Sequence, residues 1–281
     1  MEIKIWGCRG SLPTPGPKSV RYGGNTTCLE IKLRDETTII LDAGSGIKLL
    51  GDAIVERGFP KEVYLFLTHS HWDHLLGFPF FKPAYMPHFR INVRGGHDAT
   101  KCLKKYLAHQ MEPPYFPVDF ELLNAEFDFR NGNPKKKEIG TAEIFPIPLN
   151  HPNGGFGYKF VEDNKSFVFL TDNELFFEHK GGLKRDDYVE LCRGADLLLH
   201  DAQYNEKEYS SMTKGWGHTT HLQAAQLAVD AGVKRFGLFH HDPSHDDDDL
   251  DAFVNECRLH IEEQGDSTEC FGCKEGMELE I

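Results

Sequence analysis

Residues 69–74, HSHWDH, carry the strongest chemical signature in the chain. Three histidines and one carboxylate fall within these six positions, one residue after the apolar run VYLFL and directly before LLGFPFF. Alternate side chains of an extended chain share a face, so His69 and His71 can approach one cation together. Asp73 and His74 would then point toward a second cation as the chain turns into a helix. A hydrophilic turn prefers Gly, Asn, Asp and Pro, so this composition favours a metal site.

Three later residues offer further ligands for a pair of metal ions. His151 follows IFPIPLN, Asp172 follows SFVFLT, and His240, with His241 beside it, follows RFGLF. Each comes directly after a strand candidate, and strand ends converge at the active site of an α/β fold. Imidazole and carboxylate ligands suit zinc, iron or manganese, and hydrolytic ion pairs about 3.5 to 4 Å apart use such mixed ligands. The expected cofactor is two divalent metal ions, zinc in the first place and manganese or iron as alternatives.

The elements that must position these residues alternate between strand and helix. Short β-type runs stop at Gly, Asp or Ser, and helical segments repeat apolar residues three and four apart. The strand candidates are EIKIWG, TCLEIKL, TTIILDAG, VYLFLTHS, AEIFPIPLN, FGYKFVE, SFVFLTD, ADLLLHDAQ and KRFGLFHH, and the helix candidates are GIKLLGDAIVERG, HDATKCLKKYLAHQM and HLQAAQLAVDAG. The acidic run Asp246 to Asp249 is expected to start the last helix, where carboxylates favour the positive end of the dipole. No long linker interrupts the pattern, so residues 1–281 are expected to form a single α/β domain of two similar halves.

Composition restricts the partners and the compartment. Acidic residues outnumber basic ones 44 to 31, and the formal charge of −13 disfavours extended polyanions such as nucleic acid. The seven cysteines are odd in number and scattered, which fits a reducing cytoplasm better than a secreted disulfide framework. The opening MEIKIWGCRG does not read as a signal peptide, and no apolar run approaches the ~18 residues of a membrane span. We expect a soluble cytoplasmic protein with no membrane partner.

The motif HSHWDH resembles the HxHxDH signature of the metallo-β-lactamase superfamily. LDAGSG before it and the later His, Asp and His follow that superfamily's order through nearly the whole chain. The resemblance implies a four-layer αβ/βα sandwich. It also implies the ligand sets: one metal held by His69, His71 and His151, a second held by Asp73, His74 and His240, and a bridge between them made by Asp172.

The last histidine ligand is ambiguous in LFHHDPSHDD, because spacing alone does not choose between His240 and His241. Alignment of the following Asp-Pro with the family pattern favours His240, and His245 is an outside candidate. The stretch GWGHTTHLQAAQLAVDAGVKRFGLFHH resembles the ribonuclease Z and cyclic-nucleotide phosphodiesterase branch of the superfamily. This resemblance points to phosphodiester chemistry.

The candidate catalytic residues are His218, Asp201 and Asp73, the last of which also serves as a ligand. His218 in GWGHTTH could donate a proton to a leaving alkoxide near neutral pH, and Asp201 in LLLHDAQY could orient it. The alternative is that His218 only adjoins a helix start capped by Thr219 or Thr220. Cys270 and Cys273 form a lone CFGC, which we interpret as free thiols rather than a structural zinc site.

The leading hypothesis is a phosphodiesterase that acts on a small phosphodiester, such as a cyclic nucleotide or cyclic phosphate. The alternative enzyme is a ribonuclease Z-like tRNA 3′ endonuclease, although the stretch from Pro152 to Phe167 is too short for that family's long tRNA-gripping arm. A third alternative is a non-enzymatic metal-binding module, which the complete ligand set disfavours. A homodimer is left open.

Overall fold

The computed structural model describes residues 1–95, 99–129 and 136–281, with residues 99–102 described by their backbone alone. Within these ranges the first sheet has seven strands: β1 (Glu2–Gly7), β2 (Cys28–Lys32), β3 (Thr38–Leu41), β4 (Glu62–Phe66), β5 (Arg90–Arg94), β6 (Glu126–Phe129) and β14 (Glu278–Glu280). Their order is β14-β1-β2-β3-β4-β5-β6. Because β3 and β4 are parallel, the residues that follow them meet at one edge of the sheet.

The second sheet also has seven strands in the described residues: β7 (Lys137–Ile139), β8 (Ala142–Pro148), β9 (Phe156–Glu162), β10 (Lys165–Leu170), β11 (Leu197–Asp201), β12 (Arg235–Phe239) and β13 (Glu269–Gly272). Their order is β13-β12-β11-β10-β9-β8-β7. Strands β10, β11 and β12 are parallel. Their carboxyl ends therefore deliver Asp172, Asp201 and His240 to a common edge.

The helices are α1 (Ile47–Arg57), α2 (Ala99–His109), α3 (Arg185–Cys192), α4 (Glu206–Glu208), which continues into a π turn at Tyr209–Thr213, α5 (His221–Ala231) and α6 (Asp247–Glu263). Short 3-10 turns cover Trp72–His74, Phe78–Phe80, Lys82–Tyr85 and Phe120–Leu122. The Asp246 side chain accepts from the backbone amides of Asp248 and Asp249, so the acidic run starts α6 as predicted. In the described part of the chain, no helix has both the length and the apolar character that a bilayer crossing requires.

Three apolar layers hold these elements together. Leu29, Phe160 and Leu197 belong to the layer between the two sheets. A second layer packs α1 and α2 on the first sheet, and a third packs α3, α5 and α6 on the second sheet. Burial of apolar surface contributes about 25 cal/mol per Å², so each sheet is stabilised on both faces. The arrangement is helix, sheet, sheet, helix, which confirms the predicted αβ/βα sandwich.

Candidate metal centre

The chain leaves β4 through a connection that Asp42 fixes from the neighbouring strand β3. Both the backbone amide and the hydroxyl of Thr68 donate to the Asp42 carboxylate over 2.8 Å. The Nδ1–H of His69 in turn donates to the Thr68 hydroxyl over 3.1 Å. This short network sets the direction in which residues 69–74 enter the centre.

The first half of the centre consists of His69, His71 and His151 around one oxygen of Asp172. Oδ2 of Asp172 lies 3.5 Å from Nε2 of His69 and 3.7 Å from Nε2 of His151. Nδ1 of His71 lies 3.0 Å from Nε2 of His151. The ligand atoms of all four residues lie within 4.8 Å of one another.

The second half consists of Asp73, His74 and His240 around the other oxygen of Asp172. Oδ1 of Asp172 lies 3.2 Å from Nε2 of His74 and 3.2 Å from Nε2 of His240. Oδ2 of Asp73 lies 3.3 Å and 3.1 Å from these same two nitrogens. Asp172 therefore turns one oxygen toward each half, so its carboxylate could contact an ion in either half.

The outward nitrogens of three of these histidines have partners that fix the rings. Nδ1–H of His74 donates to the Asp42 carboxylate over 2.8 Å, and Nδ1–H of His151 donates to the Gly217 carbonyl over 3.0 Å. Nδ1–H of His240 donates to the side-chain oxygen of Gln203 over 3.0 Å. Each of these bonds leaves the Nε2 lone pair of its ring pointing inward. Such outer contacts orient metal-ligating histidines and raise their basicity.

Three observations indicate that these residues fit divalent cations. Nε2 of His69 and Nε2 of His74 are buried and have no hydrogen-bond partner, which is costly unless another group meets them. Zinc binds nitrogen at about 2.0 to 2.1 Å, so atoms that share one ion lie roughly 3 to 4 Å apart. The seven distances given above for the two halves, from 3.0 to 3.7 Å, have this size. Mixed imidazole and carboxylate donors also suit such ions.

The pKa values of the ligands agree with this interpretation. Burial raises the pKa of Asp73 and Asp172, but the surrounding histidines outweigh it and hold both carboxyls well below their usual range. Burial lowers the pKa of His69 well below its ordinary value and that of His151 to about 4. Ionised carboxylate and neutral imidazole are the forms that coordinate metal ions.

The pKa of His74 shifts in the opposite direction to the pKa values of His69 and His151. Burial lowers its pKa, but Asp172, Asp73 and Asp42 outweigh burial and raise the pKa well above the ordinary value. Three carboxylates around one ring thus call for a positive charge at this point. A cation bound in the second half of the centre would supply that charge in place of the proton.

Three residues at strand ends near the centre have strained backbone conformations. Asp42, Asp172 and His240 have φ angles of 61°, 51° and 61°, in the left-handed region that side chains other than glycine adopt rarely. Each follows a strand end, at β3, β10 and β12. Strain of this kind costs on the order of 1 to 3 kcal/mol per residue and clusters at functional sites.

His218 lies over the centre with Asp201 behind it. Nδ1–H of His218 donates to Oδ2 of Asp201 over 2.6 Å. The ring stacks on His240 at 5.0 Å and meets His151 edge-on at 5.2 Å. Burial lowers the pKa of His218, but the Asp201 carboxylate outweighs it and raises the pKa to about 9. Thr220 does cap α5, accepting from the Gln223 amide, so helix capping and a place at the centre coexist.

The comparisons with known proteins agree with this geometry. The family model described as "Beta-lactamase superfamily domain" matches residues 37–241, a range that contains both halves of the centre. The chain belongs to the beta-lactamase superfamily. The metal-dependent hydrolase predicted from the sequence is thereby confirmed at the level of the family.

One sequence relative and two solved structures match this chain over almost its full length. The ribonuclease Z of Picrophilus torridus is 23% identical over 92% of this chain and 90% of its own. The metallo-β-lactamase fold protein YhfI from Bacillus subtilis has a TM-score of 0.73 at 16% identity, covering 99% of this chain and 98% of its own. A diphosphatase from the PhnP family has a TM-score of 0.69 at 17% identity, covering 100% and 97%. These two solved structures share the fold.

Within this superfamily member, the structure brings His240 to the centre and turns His241 away. Nε2–H of His241 donates to the Cys273 carbonyl over 2.9 Å, and Nε2 of His245 pairs with Glu208 at 3.0 Å. Cys270 and Cys273 are buried free thiols. Among the described residues, the clusters able to hold a metal are the two halves of the centre and the adjoining group of Asp201, His218 and His240, and none of them includes Cys270 or Cys273.

Four residues that support the superfamily centre carry no role in the sequence interpretation: Asp42, Gln203, Gly10 and Glu174. A Cβ on Gly10 would overlap the His240 ring, so only glycine fits against that ligand. The next amide, of Ser11, donates to Oδ2 of Asp73 over 2.8 Å. Asp42 lies in the LDAGSG segment, which is the one sequence signal that could have found it; the other three have common residue types and no distinctive spacing.

Proposed function

We propose that the chain is a dinuclear-metal-dependent phosphodiesterase that hydrolyses a small phosphodiester such as a cyclic nucleotide or cyclic phosphate. The observation that carries the proposal is the joint placement of two groups. Asp172 faces both halves of the centre, and the ring of His218, which Asp201 holds, stacks on His240 and meets His151 edge-on. A ligand set for two cations beside a proton donor suits a substrate whose leaving group is an alkoxide.

The ligands proposed for two divalent ions, zinc in the first place, are His69, His71, His151, Asp73, His74, His240 and the bridging Asp172. Bound divalent cations supply Lewis acidity toward phosphoryl oxygens and lower the pKa of water toward neutrality. The chain's own contribution is a preorganised donor set in which the outward nitrogens of His74, His151 and His240 are already fixed. Preorganised donors of this kind need no rearrangement as charge develops.

The proton for the leaving group comes from His218. Asp201 holds the Nδ1–H of His218, which leaves Nε2 to carry the proton that is donated. An alkoxide is a poor leaving group, and a positioned general acid contributes about 10² to 10⁴ in rate. Asp73 acts beside this pair through the second half of the centre, held by the Ser11 amide.

The small-substrate class is supported by charge and by loop length. The chain carries a formal charge of −13, which opposes a long polyanion. Strands β8 and β9 are joined only by residues 149–155, and β9 and β10 only by residues 163–164. Neither connection has room for an arm that could grip a folded RNA.

The second candidate is a ribonuclease Z-like endonuclease. It is favoured by one observation, the match to a ribonuclease Z over 92% of this chain. An arm supplied by another subunit would be required. RNA as a substrate is thus the principal competitor to a small phosphodiester.

A substrate panel with metal-reconstituted protein decides between these functions. It contains bis(p-nitrophenyl) phosphate, cyclic nucleotides, a tRNA precursor, a thioester and a β-lactam. We expect turnover of bis(p-nitrophenyl) phosphate and of cyclic nucleotides. Treatment with a chelator should abolish the turnover of both substrates. The His218→Ala variant should lose turnover of cyclic nucleotides. Cleavage of the tRNA precursor with no turnover of cyclic nucleotides would establish the second candidate. A metal-loaded protein inactive on the whole panel would contradict both.

A further inference from the structure

Glu174 is a fully buried carboxylate that lies outside the proposed ligand set. Its Oε1 accepts from the Tyr209 hydroxyl over 2.8 Å and from the Gly215 amide over 2.7 Å. Its Oε2 accepts from the Gly217 amide over 2.8 Å and from Nε2–H of His179 over 3.0 Å. Both oxygens are thus fully used, and two of the four donors are backbone amides of one short loop.

That loop, Gly215-Trp216-Gly217, can be built only with glycine at both ends. Gly215 and Gly217 have φ angles of 87° and 94°, which side chains rarely adopt. A Cβ on Gly217 would also overlap Nδ1 of His151. The Gly217 carbonyl instead accepts from that same nitrogen over 3.0 Å. The loop therefore packs directly on a proposed metal ligand.

The loop also leads straight into the proposed proton donor, since His218 follows Gly217 in the chain. Glu174 is two residues after the bridging Asp172. A single side chain therefore ties the end of β10, which carries the bridge, to the backbone that carries the acid. Asn173 lies between Asp172 and Glu174, and its side-chain oxygen accepts from the backbone amide of Asn150 over 2.9 Å. Asn150 directly precedes His151, so the residues after β10 hold the backbone beside His151 as well as the loop that leads to His218.

We propose that Glu174 is a positioning residue that clamps the Gly215–Gly217 loop and thereby holds His218 in register with Asp172 and His151. The role assigned to His218 rests on the proposed function. The clamp requires two acceptor oxygens, because the loop offers two amide N–H groups that point at different oxygens of the carboxylate. A buried amide left without an acceptor is costly, so weakening either bond releases the loop.

Three substitutions probe the clamp in graded steps. Glu174→Gln keeps the volume but replaces one acceptor with an NH2 group that faces a donor. Glu174→Asp keeps both acceptor oxygens and the charge, but the shorter side chain places the oxygens farther from the loop. This variant tests the clamp even if Glu174→Gln does not fold. Tyr209→Phe removes one donor and leaves both loop amides bound. Glu178→Gln, at an exposed position four residues along, is the matched control.

The kinetic readout is the contrast between leaving groups. In Glu174→Gln we expect kcat for a cyclic or alkyl diester to fall by about 10-fold or more, while an activated nitrophenyl diester, which needs little protonation, suffers much less. Metal content and KM should stay close to wild type. Glu174→Asp should lie between, and Tyr209→Phe and Glu178→Gln should match wild type. Adding Glu174→Gln to His218→Ala should cause little further loss, because both changes remove the same contribution.

A second readout does not depend on activity. The Nδ1–H proton of His218, held by the Asp201 carboxylate, should give a low-field proton resonance in the NMR spectrum, assigned by its loss in His218→Ala. In Glu174→Gln this resonance should shift or broaden, and in Glu178→Gln it should not. If wild-type protein turns over no phosphodiester, the proposed function fails while this spectrum still tests the clamp.

Two outcomes would overturn the clamp. One is an unchanged resonance and unchanged leaving-group contrast in both Glu174 variants. The other is an equal loss on both substrates together with lost metal or a lowered melting temperature, which would make Glu174 a general element of the fold.

Discussion

The Nδ1–H of His74 donates to the carboxylate of Asp42 over 2.8 Å, and both side chains are completely buried. This pair joins the ends of β3 and of the β4 connection at the second half of the centre. We expect Asp42→Asn to weaken metal binding there by about 10- to 100-fold, as is usual when an outer partner of a ligating histidine is lost. Zinc titration against a competing chelator measures the effect. Asp186→Asn, at a fully exposed carboxylate, is the control, and equal affinities in the two variants would show that Asp42 does not tune His74.

Metal stoichiometry tests the dinuclear arrangement. Seven candidate ligands in two groups that share Asp172 are too many for one four-coordinate zinc. We expect close to two transition-metal ions per chain by elemental analysis of purified protein. A fully active preparation that reproducibly holds one ion would contradict the dinuclear proposal.

Asp172→Ala should lose metal and activity together, because the two oxygens of this residue face different halves of the centre. Removing it withdraws one ligand atom from each half at once. Elemental analysis and diesterase assays on the same preparation measure both losses. Normal metal content with full activity would remove Asp172 from the site.

His218→Ala separates proton transfer from metal binding. The residue pairs with Asp201 and is proposed to donate a proton, not to coordinate. The variant should keep its metal ions and slow turnover of an alkyl diester by about 10² to 10⁴, with a much smaller effect on a nitrophenyl diester. If both diesters slow equally while the metals stay bound, His218 acts on substrate position or charge instead.

The sequence predicts the inner strands well and the outer ones poorly. The nine strand candidates each overlap an observed strand, whereas β5, β6, β7, β13 and β14 carry no sequence prediction. β7 and β14 are three-residue edge strands, KEI and ELE, whose charged residues give no apolar run. Such strands are stabilised mainly by pairing with a neighbour that only the folded sheet provides.

The candidate ligands could be predicted from the sequence for a different reason. Histidine seldom arises from turn chemistry, so its recurrence after apolar runs is informative, and the structure brings all seven predicted ligands together. Their role in coordination stays a proposal, as does the single-domain organisation. Gln203 and Glu174 were not predicted from the sequence, because their contacts form only when the fold brings distant residues together. Gln203, for example, accepts from Nδ1–H of His240.

The left-handed backbone at Asp42, Asp172 and His240 narrows the substitutions that these positions can accept during evolution. Asp, Asn and His tolerate this conformation better than other side chains, and β-branched residues are strongly disfavoured there. Local geometry and coordination chemistry therefore select from nearly the same small set of amino acids. A descendant released from metal binding would still be expected to drift to Asn or Gly at these three positions before it accepts Val or Ile.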